Sequence, residues 1–199
     1  MISLNEITIK EFKKEIYRQY IKLFPATERK SYHMIKRMAK KGIAHILKIK
    51  VQEKTVGFFI VNIVNYYVQI DYFAIFEEYQ NKGYGSSALQ ELKVMYANSL
   101  GIFIEIEKVG LGKTKEENEL RERRWKFYQK AGFESLNFDL LLFHVIYIPC
   151  CLQYKDKDNI EQTKEILFNF YRAAISERMI NKYCKVIWKE NWEWVIKLF

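Results

Sequence analysis

The sequence predicts a mixed α/β protein in which antiparallel strands come first and a strand–helix–strand unit occupies the middle. Three observations carry this. Apolar residues make up 49% of the 199 positions and aromatic residues 16%, enough to bury a full core and to exclude disorder as the main state. Three consecutive runs rich in Val, Ile, Phe and Tyr, over residues 44–51, 55–64 and 67–76, are joined by short connectors, the pattern of a meander. Helical periodicity then alternates with strand-like runs from residue 86 to residue 131, which is the signature of strand–helix units.

The elements follow in order. Residues 2–9 alternate apolar and polar and read as a first strand. Residues 11–24 carry Phe12, Ile16, Tyr20 and Leu23 at helical spacing until Pro25 stops them. Thr27 is expected to cap a second helix bearing Met34, Ile35 and Met38 on one face, ending at Gly42. After the meander, Ala88, Leu89, Leu92, Met95 and Tyr96 mark a helix over residues 86–98. Residues 102–109 read as a strand, 116–131 as a charged helix, and 133–138 and 140–151 as two further strands. That makes seven strands. A strong helix is expected over residues 160–178, with Ile166, Leu167, Phe170, Tyr171, Ala174 and Ile175 inward. The aromatic stretch 179–199, with Trp188, Trp192 and Trp194, is ambiguous. No Pro/Ser/Gly-rich linker and no internal repeat divides the chain.

Composition narrows the function classes. No apolar run reaches the roughly 18 residues of a membrane span; the longest, 140–152, is interrupted by His144 and Pro149. The first ten residues lack a basic start and a long apolar stretch, so they do not read as a signal peptide. Cys150, Cys151 and Cys184 cannot make a disulfide framework and read as reduced core thiols of a cytoplasmic protein. His33, His45 and His144 are scattered, with no ligand spacing, so no metal site is expected. The formal charge of +9 favours an anionic partner without choosing among them. The densest basic stretch, residues 36–41, reads as a solvated helix face rather than a nucleic-acid footprint.

Residues 70–92 carry the chemistry. They read as a buried strand, a polar turn and a helix whose first turn holds Gly83 and Gly85. The exposed amides of a helix start attract anions, and glycines there let a phosphate approach the backbone. Lys82 and the Gln80 amide lie alongside. A third glycine and a following acid, needed for a dinucleotide fingerprint, are missing, as is the Gly-Lys-Ser/Thr of a Walker loop. By itself Gly-x-Gly is also compatible with an ordinary turn into a helix.

In context the stretch Gln80-Asn81-Lys82-Gly83-Tyr84-Gly85 resembles motif A of the GNAT superfamily of acyl-CoA-dependent N-acetyltransferases, written Arg/Gln-x-x-Gly-x-Gly/Ala. Phe73-Ala74-Ile75 resembles the end of that family's fourth strand, and Phe127-Tyr128 with Gly132-Phe133 resembles motif B. The two motifs are separated by a helix and a strand, as the family requires. Phe24-Pro25, followed by Glu28-Arg29, is similar to an element near the acceptor cleft of uncharacterised bacterial members. Phe76-Glu77 departs from the usual Asp-Pro without removing a backbone donor. The resemblance covers about residues 1–150, which places the domain at 1–155 and leaves 156–199 as a C-terminal helical extension packed on the core.

The resemblance implies the GNAT fold: a central mixed, mostly antiparallel, seven-stranded sheet with flanking helices and two splayed parallel strands. It implies acetyl-CoA as co-substrate. The pantetheine arm would bond the backbone of Phe73, Ala74 and Ile75, an amide near Ile75 would polarise the thioester, and the pyrophosphate would rest on the amides of Asn81 to Ser86. A primary amine, small or peptidic, would attack directly. Glu105 and Glu107 alternate onto one strand face, about 7 Å apart, and carboxylates in an apolar strand need a partner or a wet cleft. Glu105 matches the position of a catalytic base and Glu107 could recognise a cationic amine; ion pairs with Arg121, Arg123 or Arg124 are the other reading of both. Tyr128 matches the family tyrosine that protonates the thiolate, or it is a packed aromatic. Two rival classes remain: a basic nucleic-acid binder, although no finger, helix-turn-helix or RNP motif is visible, and a non-catalytic acyl-CoA-binding module. The tail could cover the acceptor site, extend the core or form a homodimer contact.

Overall fold

The computed structural model describes residues 2–188. The chain divides between Ser99 and Leu100 into two compact units. The described residues carry nine strands rather than the expected seven, and every pairing within each unit is antiparallel.

The first unit is a four-stranded meander. Strand β1 (Ile2–Ile7) pairs β2 (Ala44–Val51), which pairs β3 (Lys54–Val64), which pairs β4 (Tyr67–Ile75). Residues Val56 to Asn62 of β3 are all buried, so its near-continuous apolar run marks a strand covered on both faces. A helical stretch over residues 9–23 consists of α1 (Ile9–Glu11), a π turn (Phe12–Ile16) and α2 (Tyr17–Leu23). Thr8 and Glu11 form a reciprocal capping box at its start. Phe12, Ile16 and Tyr20 are the residues it buries.

Helix α3 (Tyr32–Lys40) begins later than expected. Ser31, not Thr27, accepts the capping bond from the amide of Met34, because residues 25–28 are taken up by a turn closed from Glu28 N–H to Pro25 O. That turn is fastened by two tyrosines. The Tyr20 hydroxyl donates to Lys30 O at 3.0 Å, and the Tyr72 hydroxyl donates to Glu28 O and accepts from Lys30 N–H, both at 2.8 Å. Helix α4 (Tyr84–Met95) closes the unit.

The second unit is built on β5 (Gly101–Glu107), β6 (Glu134–Ser135), β7 (Phe138–Leu142), β8 (Val145–Leu152) and β9 (Cys184–Trp188). Strand β8 pairs β5, β6 and β7, and β7 also pairs β9. The run expected as one strand over 140–151 is therefore a hairpin. Phe143 and His144 both take positive φ, 48° and 72°, which is the two-residue turn that matches strand twist; neither is a residue that advertises such a turn. Helix α5 (Lys115–Lys130) is capped by Thr114. Helix α6 (Ile160–Ala174) is capped by Asn159 and stops four residues short of expectation, where Ile175 turns extended before α7 (Glu177–Tyr183). The extension is thus not wholly helical, since it returns as β9 beside β7. Trp188 packs edge-on against Phe138, with ring centroids 6.1 Å apart; Trp192 and Trp194 lie outside the described residues.

Candidate functional site

In the first unit, β4 leads through a short turn (Glu77–Tyr79) to Gly83, the residue that caps α4. Gly83 has φ +77°, in the left-handed region, and a Cβ there would meet nothing within 4 Å. The space in front of this helix start is open. Helices α3, α5 and α6 each receive a side-chain oxygen at their N-terminus, from Ser31, Thr114 and Asn159; α4 receives none. Its first amides are therefore donors that the protein's own side chains do not cap. Gly85 sits in the first turn of α4.

The neighbouring residues hold this turn in shape. Gln80 Nε2 donates to Ile75 O at 3.0 Å, and Lys82 Nζ donates to Glu78 O at 2.9 Å. Lys82 also stands 5.5 Å from the centre of the Tyr79 ring. Phe76 N–H bonds Val56 O at 2.9 Å. In an antiparallel ladder, bonding to one neighbour alternates residue by residue. The backbone groups of Phe73 and Ile75 consequently point away from β3, and those of Ala74 point toward it. Gly57 lies opposite Ile75, and a Cβ on it would fall 2.3 Å from Ala74 O. This close approach, which sequence reasoning passed over, sets where the end of β4 lies.

In the second unit, Phe103, Glu105 and Glu107 share one face of β5, since side chains alternate along a strand. Their partners differ. Phe103 packs against Tyr154 and Phe170, with centroids 5.2 and 6.4 Å apart. The Glu105 carboxylate accepts a hydrogen bond from the Tyr171 hydroxyl at 2.8 Å. Glu107 is bridged by Arg121 at 3.0 Å and Arg124 at 2.5 Å. The ion-pair reading thus applies to Glu107, and the expected arginine partners do not account for Glu105. With two guanidinium groups beside it, Glu107 fastens α5 to β5 and presents little uncompensated charge to a cationic amine.

Tyr128 lies on α5, half-buried, edge-on to Phe127 and Phe133 at centroid distances of 5.1 and 5.6 Å. Burial pushes its hydroxyl pKa well above the ordinary value, with the charge of Arg124 pulling in the opposite direction. It is thus a neutral donor at any physiological pH. Its hydroxyl bonds no described residue. Burial also raises the Cys184 thiol to about 11, helped by the negative charge of Glu105. A pocket of about 420 Å3 opens among Lys108, Trp125, Gln129, Asp139 and Ile148, and none of the sequence-predicted residues lines it. In its wall the fully buried Asp139 is held by Lys108 Nζ at 2.6 Å.

Sequence reasoning missed Tyr171, Gly57 and the Lys108–Asp139 pair. Tyr171 was legible as an inward position of a helix; nothing in the sequence said which strand residue its hydroxyl would meet. Among the described residues no group of three or more His, Cys, Asp or Glu side chains could hold a metal ion, and no helix is long and apolar enough to cross a membrane.

Residues 42–135 match the family model of the GNAT acetyltransferase domain. No curated protein sequence matches the chain. Among solved structures, a protein described as an acetyltransferase of the GNAT family from Bacteroides thetaiotaomicron is 18% identical, with a TM-score of 0.66 over 84% of this chain and 98% of that one. The ribosomal-protein-S18-alanine N-acetyltransferase of Escherichia coli is 14% identical, with a TM-score of 0.56 over 76% of this chain and 93% of its own. Arabidopsis thaliana NAA60, solved in complex with acetyl-CoA, is 12% identical, with a TM-score of 0.60 over 76% and 98%. At these identities the likeness is one of fold.

Proposed function

We propose, from the match of residues 42–135 to the GNAT acetyltransferase domain, that the chain moves the acetyl group of acetyl-CoA to a primary amine by direct attack. The observation that carries the proposal is the start of α4: a left-handed glycine with open space beside it and amides that no side chain caps. The amides of the turn and of the first helical residues, from Asn81 to Ser86, with the Lys82 side chain alongside, suit a pyrophosphate. Likewise, Phe73 and Ile75 turn their backbone groups away from β3, as strand addition by a pantetheine arm requires. NAA60 was solved with acetyl-CoA, which supports the same ligand here.

The proton bookkeeping assigns the side chains. A substrate ammonium near pKa ~10 must lose a proton before its nitrogen can attack. Glu105 takes that proton, directly or through water. The nitrogen lone pair forms the amide bond to the acetyl carbon, the carbon–sulfur bond breaks, and the departing thiolate takes a proton from Tyr128. The raised pKa keeps Tyr128 in its neutral, proton-bearing form, able to donate to the thiolate as it departs. Glu107 is left to anchor α5.

Two measurements test this. Acetyl-CoA should raise the melting temperature saturably; no shift at millimolar ligand overturns the cofactor assignment. Free-thiol release over a panel of amines, comprising alanine- and serine-ended peptides, spermidine, an aminoglycoside and small amino acids, should single out an acceptor class. Tyr128→Phe should then lower kcat while leaving acetyl-CoA affinity in place. Melting stabilisation without turnover on any amine would leave a binding module instead.

A further inference from the structure

We propose that Tyr171, on a helix outside the stretch matched by the family model, is a positioning residue for Glu105, so that the C-terminal extension supplies part of the catalytic apparatus. The proposal rests on the reading of Glu105 as the base.

Two observations converge on it. The Tyr171 hydroxyl donates to Glu105 Oε1 at 2.8 Å across 66 residues of sequence. The helix that carries it is firmly seated: Leu167 and Phe170 of α6 are buried, and Phe170 packs on Phe103, the residue two before Glu105 on the same face of β5.

The chemistry follows from the geometry. A carboxylate has acceptor positions on both oxygens, and a base works only if the lone pair that takes the proton is aimed. A phenol bound to Oε1 fixes the carboxylate plane. A phenol donates without carrying a charge, so its bond orients the carboxylate and adds no counter-charge, whereas Arg121 and Arg124 add theirs to Glu107.

The test uses the full chain, acetyl-CoA and the panel amine that is turned over fastest. Tyr171→Phe removes one oxygen and keeps the ring. It should lower kcat about tenfold while changing the KM for acetyl-CoA less than twofold, with the acetyl-CoA-dependent melting shift retained. Glu105→Gln should lower kcat more, and adding Tyr171→Phe to it should cost nothing further, because the oriented group is gone. This non-additivity is what a merely structural role would not produce. An unchanged kcat in Tyr171→Phe overturns the proposal alone. Full additivity of the two substitutions overturns it too, since Tyr171 would then act elsewhere. A wild-type chain that acetylates no panel amine, or full turnover in Glu105→Gln, overturns the reading of Glu105 and this proposal with it.

Discussion

The two units of the chain solve opposite problems with opposite materials. In residues 2–99 the candidate cofactor features are backbone: a glycine-opened helix start, a strand end at which the backbone groups of Phe73 and Ile75 face away from β3, and a close approach at Gly57. In residues 100–188 the candidate chemistry is side chain: one carboxylate on a phenol, its neighbour on two arginines, and a half-buried tyrosine. Backbone features tolerate sequence change as long as the fold and a few small residues persist. Side-chain features depend on single atoms, and here one of them is contributed by the extension.

That contrast can be broken or sharpened. The largest effect should come from the side-chain half: Glu105→Gln should reduce kcat about 100-fold, the lower range for losing a general base, with the acetyl-CoA melting shift intact. A loss of acetyl-CoA binding instead would erase the division. In the backbone half, Gly57→Ala should cost about 2 kcal/mol, because a Cβ placed 2.3 Å from Ala74 O forces β3 away from β4; urea unfolding measures it, and unchanged stability would mean the strand end relaxes freely. Gly83→Ala has room for its methyl group but the wrong φ, so it should cost roughly 1 kcal/mol and weaken acetyl-CoA binding several-fold by calorimetry, with kcat at saturation preserved.

The smallest effect is with pH. Burial raises the thiols of Cys151 and Cys184 from 9.0 to about 11, both in the second unit, and the phenol of Tyr96 in the first from 10.0 to about 12. A raised folded value means the unfolded chain loses its proton first. The stabilisation is therefore complete below the unfolded value and drains away as pH rises toward the folded one. Residue-resolved hydrogen exchange should show the second unit loosening from pH 9 and the first only from about pH 10. Simultaneous onset would count against separate thermodynamic behaviour of the two halves.

How much of this was legible in the sequence follows the same line. The meander was readable almost to the residue, because β3 and its neighbours are short-range, β-branched and aromatic, with unambiguous turns. The helix start at Gly83 was readable because the glycines that open it are visible in the sequence. The hairpin at Phe143-His144 was not, because tertiary pairing imposes left-handed φ on residues that do not prefer it. Thr27 looked like a cap, but the tyrosine hydroxyls of residues 20 and 72 hold that segment as a turn and pass the capping to Ser31. Glu105 and Glu107 looked equivalent by alternation. What separates them is which distant helix reaches each, a long-range fact that periodicity cannot contain.

The family match stops at residue 135, yet β7 finds one of its two neighbours in residues 184–188. A fragment cut after residue 155, where homology would invite the scissors, would therefore strip an apolar edge bare and leave it searching for a foreign strand. For this chain the border drawn by ancestry and the border set by mechanical integrity are different lines.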